Sequence, residues 1–375
     1  MREAAGQRVK ISILLASALA FMALPAMAGE EETVDGVVHV KNGATPSEGV
    51  ETIELEELWS IGGADDEETV LGVVVQATVD EEGNVYLLDM QLAQVLVYSP
   101  EGEFLKTLSR QGEGPGEVQN PADMLFMPDG TLGLLQTFPG KLVKVNLDDT
   151  PAGEVIIGGD PTQGGFAVVV DAKCRGGNLV MAGTDISQGD GPTQQVRTSY
   201  LASYAEDGTK KVRYWESALK LDFTNLKIHE RDQYNVFPRR WALGPHGRVY
   251  AAVEREDFVI NVYEPDGTLT RVIEKEFSNR ERTAEEKAFY EQLVEVQTRQ
   301  FQGADITLCE TPEAISYIEL APDGTIWVAD SRSEQDQPEG IMTTYHVFRP
   351  DGHYLKQAQI ACDANGQDDG LIRIG

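Results

Sequence analysis

Two adjacent arginines, Arg239 and Arg240, stand where a run of β-forming residues begins, and Gln76, Asp123 and Tyr317 stand at comparable points elsewhere in the chain. A guanidinium receives a carboxylate or a sulfate through paired N–H groups, so this set suits holding an anionic group. The plainer reading is a structural ion pair between one arginine and Asp123. Nucleophilic catalysis has no support, because no Gly-x-Ser-x-Gly turn is present and no nucleophile, histidine and acid form a set. His39, His229, His246, His346 and His353 are scattered, whereas a zinc site would need three of them to converge. The segment Gln111–Glu117, QGEGPGE, is rich in glycine but lacks the Gly-Lys-Ser/Thr ending of a phosphate loop. It carries two carboxylates and leads into a strand, so it reads as a connection that needs unusual backbone angles.

The three cysteines form no CxxC pair, which leaves zinc-ribbon and thioredoxin chemistry without support. Cys309 and Cys362 are the pair open to a disulfide, and Cys174 falls in a turn and is expected to be free. A disulfide needs Cα atoms within about 7 Å. The inner and outer strands of a four-stranded unit lie roughly 14 Å apart, so the bond requires the long link before Cys309 to carry it outward.

The elements that must position these residues announce themselves by repetition. A tight turn ending in glycine, followed by a strand, recurs at Gly83, Gly130, Gly177, Gly247 and Gly324. Each unit adds a second turn, as in Pro100-Glu101-Gly102, Ala152-Gly153, Glu206-Asp207-Gly208, Pro265-Asp266-Gly267 and Pro350-Asp351-Gly352. Asp-Gly between strand formers is a hairpin signal. Two hairpins per unit make four antiparallel strands, a to d from the inside outward, and repetition of such units is the mark of a β-propeller. A sixth unit is expected to begin at Gly370. Its outer strands would come from the N-terminus, near Gly36–Val40 and Ile53–Gly63. The fold class is therefore all-β: a six-bladed propeller of four-stranded antiparallel blades, with both termini sharing the closing blade.

The phrase Asp80-x-x-Gly83-Asn84-Val85-Tyr86-Leu87-Leu88-Asp89, with Val95–Tyr98 and Gly102-Glu103-Phe104, resembles NHL-type repeats. Gln111–Glu117 and Asp35–Asn42 are similar to segments of an exported bacterial six-bladed propeller family. The resemblance covers most of the chain after residue 28. It implies a six-bladed fold and no defined activity. Units two, three and four have Gln136, Gly183 and Val253 where units one and five have Asp89 and Asp330, so this aspartate is expected to brace a turn rather than bind a metal.

Residues 1–28 read as an export signal: Arg2, Arg8 and Lys10, an apolar run from Ile11 to Leu24, then Ala26-Met27-Ala28. Residues 29–375 are expected to form one propeller domain, periplasmic or secreted and monomeric, with no membrane-spanning segment after signal cleavage. With 31 Lys and Arg against 62 Asp and Glu, the net charge is −31, which repels nucleic acid and serves solubility.

In a four-stranded blade the a–b and c–d turns fall on one face, and the b–c turns and blade links on the other. The a–b and c–d turns are short here. The long segments 184–197 and 331–340 (b–c loops) and 217–238 and 278–312 (links) all fall on the second face, and loops on a rigid scaffold carry function. The link 278–312 should contain a helix near 283–302, because Thr283-x-x-Glu286 is a capping box and Phe289, Leu293, Val296 and Phe301 follow at helical spacing. That stripe is expected to pack on the propeller.

These features point to an exported, non-catalytic propeller that binds a protein, peptide or glycan through the loop-bearing face. Arg239, Arg240, Asp123, Gln76 and Tyr317 would line the channel mouth, with no catalytic residue, metal ligand or cofactor. The alternative is a metal-dependent propeller hydrolase, lactonase or lyase, with its site in the channel and Ca2+ as the ion held there.

Overall fold

The turns decide where strands start. Gly83, Gly130, Gly177, Gly247 and Gly324 all have φ between 76° and 84°, a region open to glycine and costly for other residues. The computed structural model of the chain describes residues 9–11, 29–62, 70–157, 166–237, 239–299, 304–335, 337–362, 364 and 370–372. Among them, five sheets each contain four consecutive antiparallel strands. Blade one is Val74–Val79, Val85–Asp89, Gln94–Tyr98 and Phe104–Leu108. Blade two is Pro121–Phe126, Leu132–Gln136, Lys141–Val145 and Pro151–Ile156. Blade three is Phe166–Arg175, Asn178–Gln188, Gln194–Tyr204 and Lys210–Asp222. Blade four is Trp241–Leu243, Val249–Ala251, Val259–Tyr263 and Leu269–Lys275. Blade five is Ile315–Leu320, Ile326–Asp330, Ile341–Phe348 and Tyr354–Ala361.

The sequence reading of six blades is thus corrected to five among the described residues, and the N-terminal strands do not build a closing blade. Val37–Asn42 adds in parallel to the outer strand of blade four, with Glu30–Val34 beyond it. Val50–Glu54 adds in parallel to the outer strand of blade five. An open sheet edge accepts any strand of matching length, so the β-forming residues that marked these segments as strands could not say which edge they join. Asn42 stitches the two blades together. Its amide donates to Glu274 O and Gly352 O, both at 3.0 Å, and its Oδ1 accepts from Tyr354 N at 2.8 Å.

The sector between blades five and one is spanned by single segments instead. Ile53, Leu55 and Leu371 pack on the core of blade five, and Trp59, Ile61 and Ile372 on that of blade one. Gly370–Ile372, expected to open a sixth unit, is irregular chain that lies between blades five and one. Trp59–Ile61 pairs with Val9–Ile11, three residues of the segment read as an export signal. The rest of that segment lies outside the described residues.

The aspartates shared by units one and five do brace turns. Asp89 accepts from the backbone N–H groups of Gly72, Val73 and Leu92 at 2.6, 3.1 and 2.9 Å. Asp330 accepts from Arg332 N at 2.8 Å and binds His346 Nε2 at 2.8 Å. The glycine-rich segment is likewise structural. Glu117 folds back into it, accepting from Gly114 N at 2.9 Å and pairing with Arg110 at 2.8 Å.

On the loop-bearing side, the expected loop 184–197 is mostly strand. The second and third strands of blade three stay paired from Leu179 with Tyr204 out to Gln188 with Gln195, and this tall hairpin is joined by the fourth strand out to Asp222. The helix forms at Ala284–Thr298 with both halves of the Thr283–Glu286 capping box. Its rotation differs from expectation: Phe289, Leu293 and Val296 are exposed by 61%, 40% and 65%. The helix is instead turned so that Tyr290 meets the guanidinium of Arg282, 4.1 Å from its ring. Arg282 is buried and bonds Glu230, which also receives Arg255 at 2.8 Å and Cys309 N at 2.8 Å. Phe301 lies outside the described residues.

Candidate functional site

The inner strands of the blades surround a central cavity of about 720 Å3. Side chains alternate along a strand, and Asp171, Lys173 and Arg175 of blade three line the cavity at alternate positions. Four of the inner strands carry a register shift at one shared point, just before Gln76, Asp123, Asp171 and Tyr317. A bulge re-aims the side chain beside it and recurs near functional sites. Blade four differs in having Arg239 in the left-handed region, with φ of 70°.

Of the residues singled out from the sequence, Gln76, Asp123, Arg239 and Tyr317 line this cavity. Arg240 does not. It turns back onto its own loop, where its guanidinium donates to Asn235 O at 3.1 Å and Phe237 O at 3.2 Å and lies 5.2 Å from the Tyr234 ring. The left-handed residue before it causes the split, since the reversal points neighbouring side chains in different directions. Arg239 is exposed, and its guanidinium has no partner among the described residues.

Asp123 does not pair with an arginine. It accepts from Gln76 Nε2 at 3.2 Å, Met124 N at 2.8 Å and Ala172 N at 3.0 Å. Burial, then the adjacent Asp171 carboxylate, push its carboxyl up to about 7, against the pull of Lys173 and the Ala172 N–H. Asp171 holds Lys173 at 2.8 and 3.0 Å, and the Lys173 ammonium lies 4.1 Å from the Trp241 ring centre. Across the ring, Tyr317 donates to Glu319 at 2.6 Å. Burial and that carboxylate raise the phenol well above its ordinary range. The wall can therefore hold a proton near neutral pH at Asp123 and offer a free guanidinium at Arg239. The two sit on different blades.

Asp171, Lys173, Trp241 and Glu319 were missed in the sequence. A signal existed: Asp171, Lys173 and Arg175 alternate with small or apolar residues in Val168–Arg175, the pattern of an inner strand with one polar face. As possible metal ligands, Asp123 and Asp171 form only a pair. Among the described residues no three His, Cys, Asp or Glu side chains gather as ligands would.

No disulfide joins Cys309 to Cys362 among the described residues. The link that carries Cys309 is tied to Glu230 through the Cys309 N–H, and Cys362 Sγ sits 3.6 Å from Met342 Sδ at the edge of blade five. No helix among the described residues is long and apolar enough to cross a membrane.

No protein-family model matches the chain, and no curated protein matches it. Solved structures do. An exported-protein candidate from Bacteroides fragilis aligns at 11% identity over 77% of this chain and 72% of that one, with a TM-score of 0.43. A catalytically inactive virginiamycin B lyase from Staphylococcus aureus, solved with quinupristin, aligns at 8% identity over 93% of this chain and 88% of that one, with a TM-score of 0.41. A gluconolactonase from Xanthomonas campestris aligns at 13% identity over 78% of this chain and 79% of that one, with a TM-score of 0.37. At these identities and scores the alignments transfer neither residue roles nor activities.

Proposed function

We propose that this chain is an exported, monomeric binding protein that receives an acidic group of a protein, peptide or glycan through its loop-bearing face. The observation that carries this is Arg239, an exposed guanidinium with no hydrogen bond or ion pair among the described residues, at the channel wall beside Tyr317, on the side from which the tall hairpin of blade three and the helical link rise. In a chain of net charge −31, a cation left unpaired stands out, because most other described arginines are hydrogen-bonded by a carboxylate or a carbonyl. The ligand carboxylate would take two parallel N–H bonds from Arg239, and the raised segments would supply contact area.

Calorimetry of residues 29–375 against acidic peptides and uronic-acid oligosaccharides tests it. Arg239→Gln should weaken binding about tenfold, the scale of one charge-assisted hydrogen bond, and removal of 187–195 should weaken it further. Unchanged affinity in both variants would remove the face from consideration.

One observation favours the second reading, a channel enzyme: the buried Asp123 carboxyl beside Asp171 and Lys173, which burial and then the Asp171 carboxylate push well above the ordinary carboxylate range, since a carboxyl so raised suits general acid–base work. Ca2+-dependent turnover of a lactone, abolished by Asp171→Asn, is the result that would favour it over binding alone.

A further inference from the structure

A second hollow, of about 460 Å3, lies away from the channel, between the tall hairpin of blade three and the helix Ala284–Thr298. Its wall is built by a simple pattern. Leu219 and Leu221 alternate along the last strand of blade three and face the helix. The chain then turns, and Ile228 pairs in parallel with Ile306 to make a two-stranded floor. Val294, one helical turn beyond Tyr290, closes the side opposite the hairpin. The frame is held rigid by the half-buried Glu230 and the two buried guanidiniums of Arg282 and Arg255, so the hollow is not a loose gap between drifting loops. Protein interiors pack as densely as organic crystals. An apolar hollow of this size, within the roughly 300–1,000 Å3 of small-molecule sites, is a volume suited to being filled.

Its polar lining includes Glu230, Gln233, Thr298 and Arg197, and among the described lining residues Arg197 is the available cation. Glu230 is already neutralised by its two arginines. Thr298 donates its hydroxyl to Val294 O at 2.7 Å. Arg197 is exposed, lies directly across from Leu219 in the strand pairing, and lines the hollow. Its Nε donates to Gln195 at 2.8 Å, and its two terminal nitrogens have no partner among the described residues. Those nitrogens form a fork that fits a carboxylate.

We infer that this hollow is a ligand site for a single-chain amphiphile, an unbranched aliphatic tail with a carboxylate head, as in a medium-chain fatty acid. The tail would lie against Leu221, Ile228 and Val294 and the head on Arg197. The site is separate from Arg239 and the channel, so it stands or falls independently of the proposed function.

The probe is sodium dodecanoate below its micellar concentration, titrated calorimetrically into residues 29–375, with dodecanol and dodecyltrimethylammonium as neutral and cationic counterparts. Saturable binding of one dodecanoate per chain is expected, with the cationic analogue failing to bind. Arg197→Gln, a change at an exposed residue, should weaken dodecanoate about tenfold and leave dodecanol unaltered. Val294→Trp, which fills the hollow, should abolish both. If that variant does not fold, Leu219→Trp at the rim serves the same purpose. Non-saturable uptake, equal affinity for the cationic amphiphile, or undiminished dodecanoate binding in Arg197→Gln would each overturn the assignment.

Discussion

Lys173 illustrates how a single side chain can carry opposing duties. It neutralises Asp171, lies over Trp241, and restrains the upward shift of Asp123. The sign of the resulting pH dependence follows from that shift. Asp123 titrates at about 7 in the folded protein against an ordinary 3.8. Between those values the folded chain holds a proton that the unfolded chain has released, so this group's contribution to stability falls as pH rises through that window. Removing the lysine widens the window upward. Lys173→Gln should therefore cost roughly 1–2 kcal/mol, since the ammonium is partly exposed, and the loss by urea unfolding should be larger at pH 8 than at pH 5. Equal losses at both pH values would show that Lys173 serves packing alone. Which arginine faces the channel was also a residue-scale matter. Strand alternation placed one of Arg239 and Arg240 there, but the choice between them rested on the left-handed backbone at Arg239, which nothing in Phe237–Trp241 announces.

At the scale of elements, local chemistry was read well and orientation was not. The capping box at Thr283 and Glu286 formed as expected, because both partners lie within one helical turn and need no other part of the protein. The face that the helix buries depended on Arg282, Glu230 and Arg255, which are distant in sequence and meet only in the fold. The same cluster holds the helical link to the propeller. Glu230→Ala would leave two buried guanidiniums without their carboxylate and should cost about 3 kcal/mol or more. Limited proteolysis should then cut within 284–308 well before the blades unfold. Cleavage unchanged from wild type would mean that the helix is held by its apolar contacts instead. The hairpin of blade three taught a related lesson. Residues 184–197 are polar and looked like a loop, yet all but the turn at 189–193 is paired strand, because a strand needs only a neighbour of matching register, and both neighbours were long enough.

Among the described residues five blades are complete, and the sector between blades five and one is bridged by single segments. Leu371 and Ile372 reach the cores on either side of that sector, and replacing both by serine should cost roughly 2–4 kcal/mol from lost apolar burial. A thermal melt would show this as a lowered midpoint; an unaltered midpoint would mean that residues 53–61 close the ring unaided. Sequence alone determined the repeat, the turn glycines and the four-strand blade, because these rest on backbone angles and alternation within a few residues. Tertiary structure alone decided the blade count, the edges on which the N-terminal strands settle, the company of Asp123 and the hollow beneath the helix. Each of these depends on which surfaces meet across long stretches of chain, and an open sheet edge or a polar side chain specifies that it needs a partner without specifying which one.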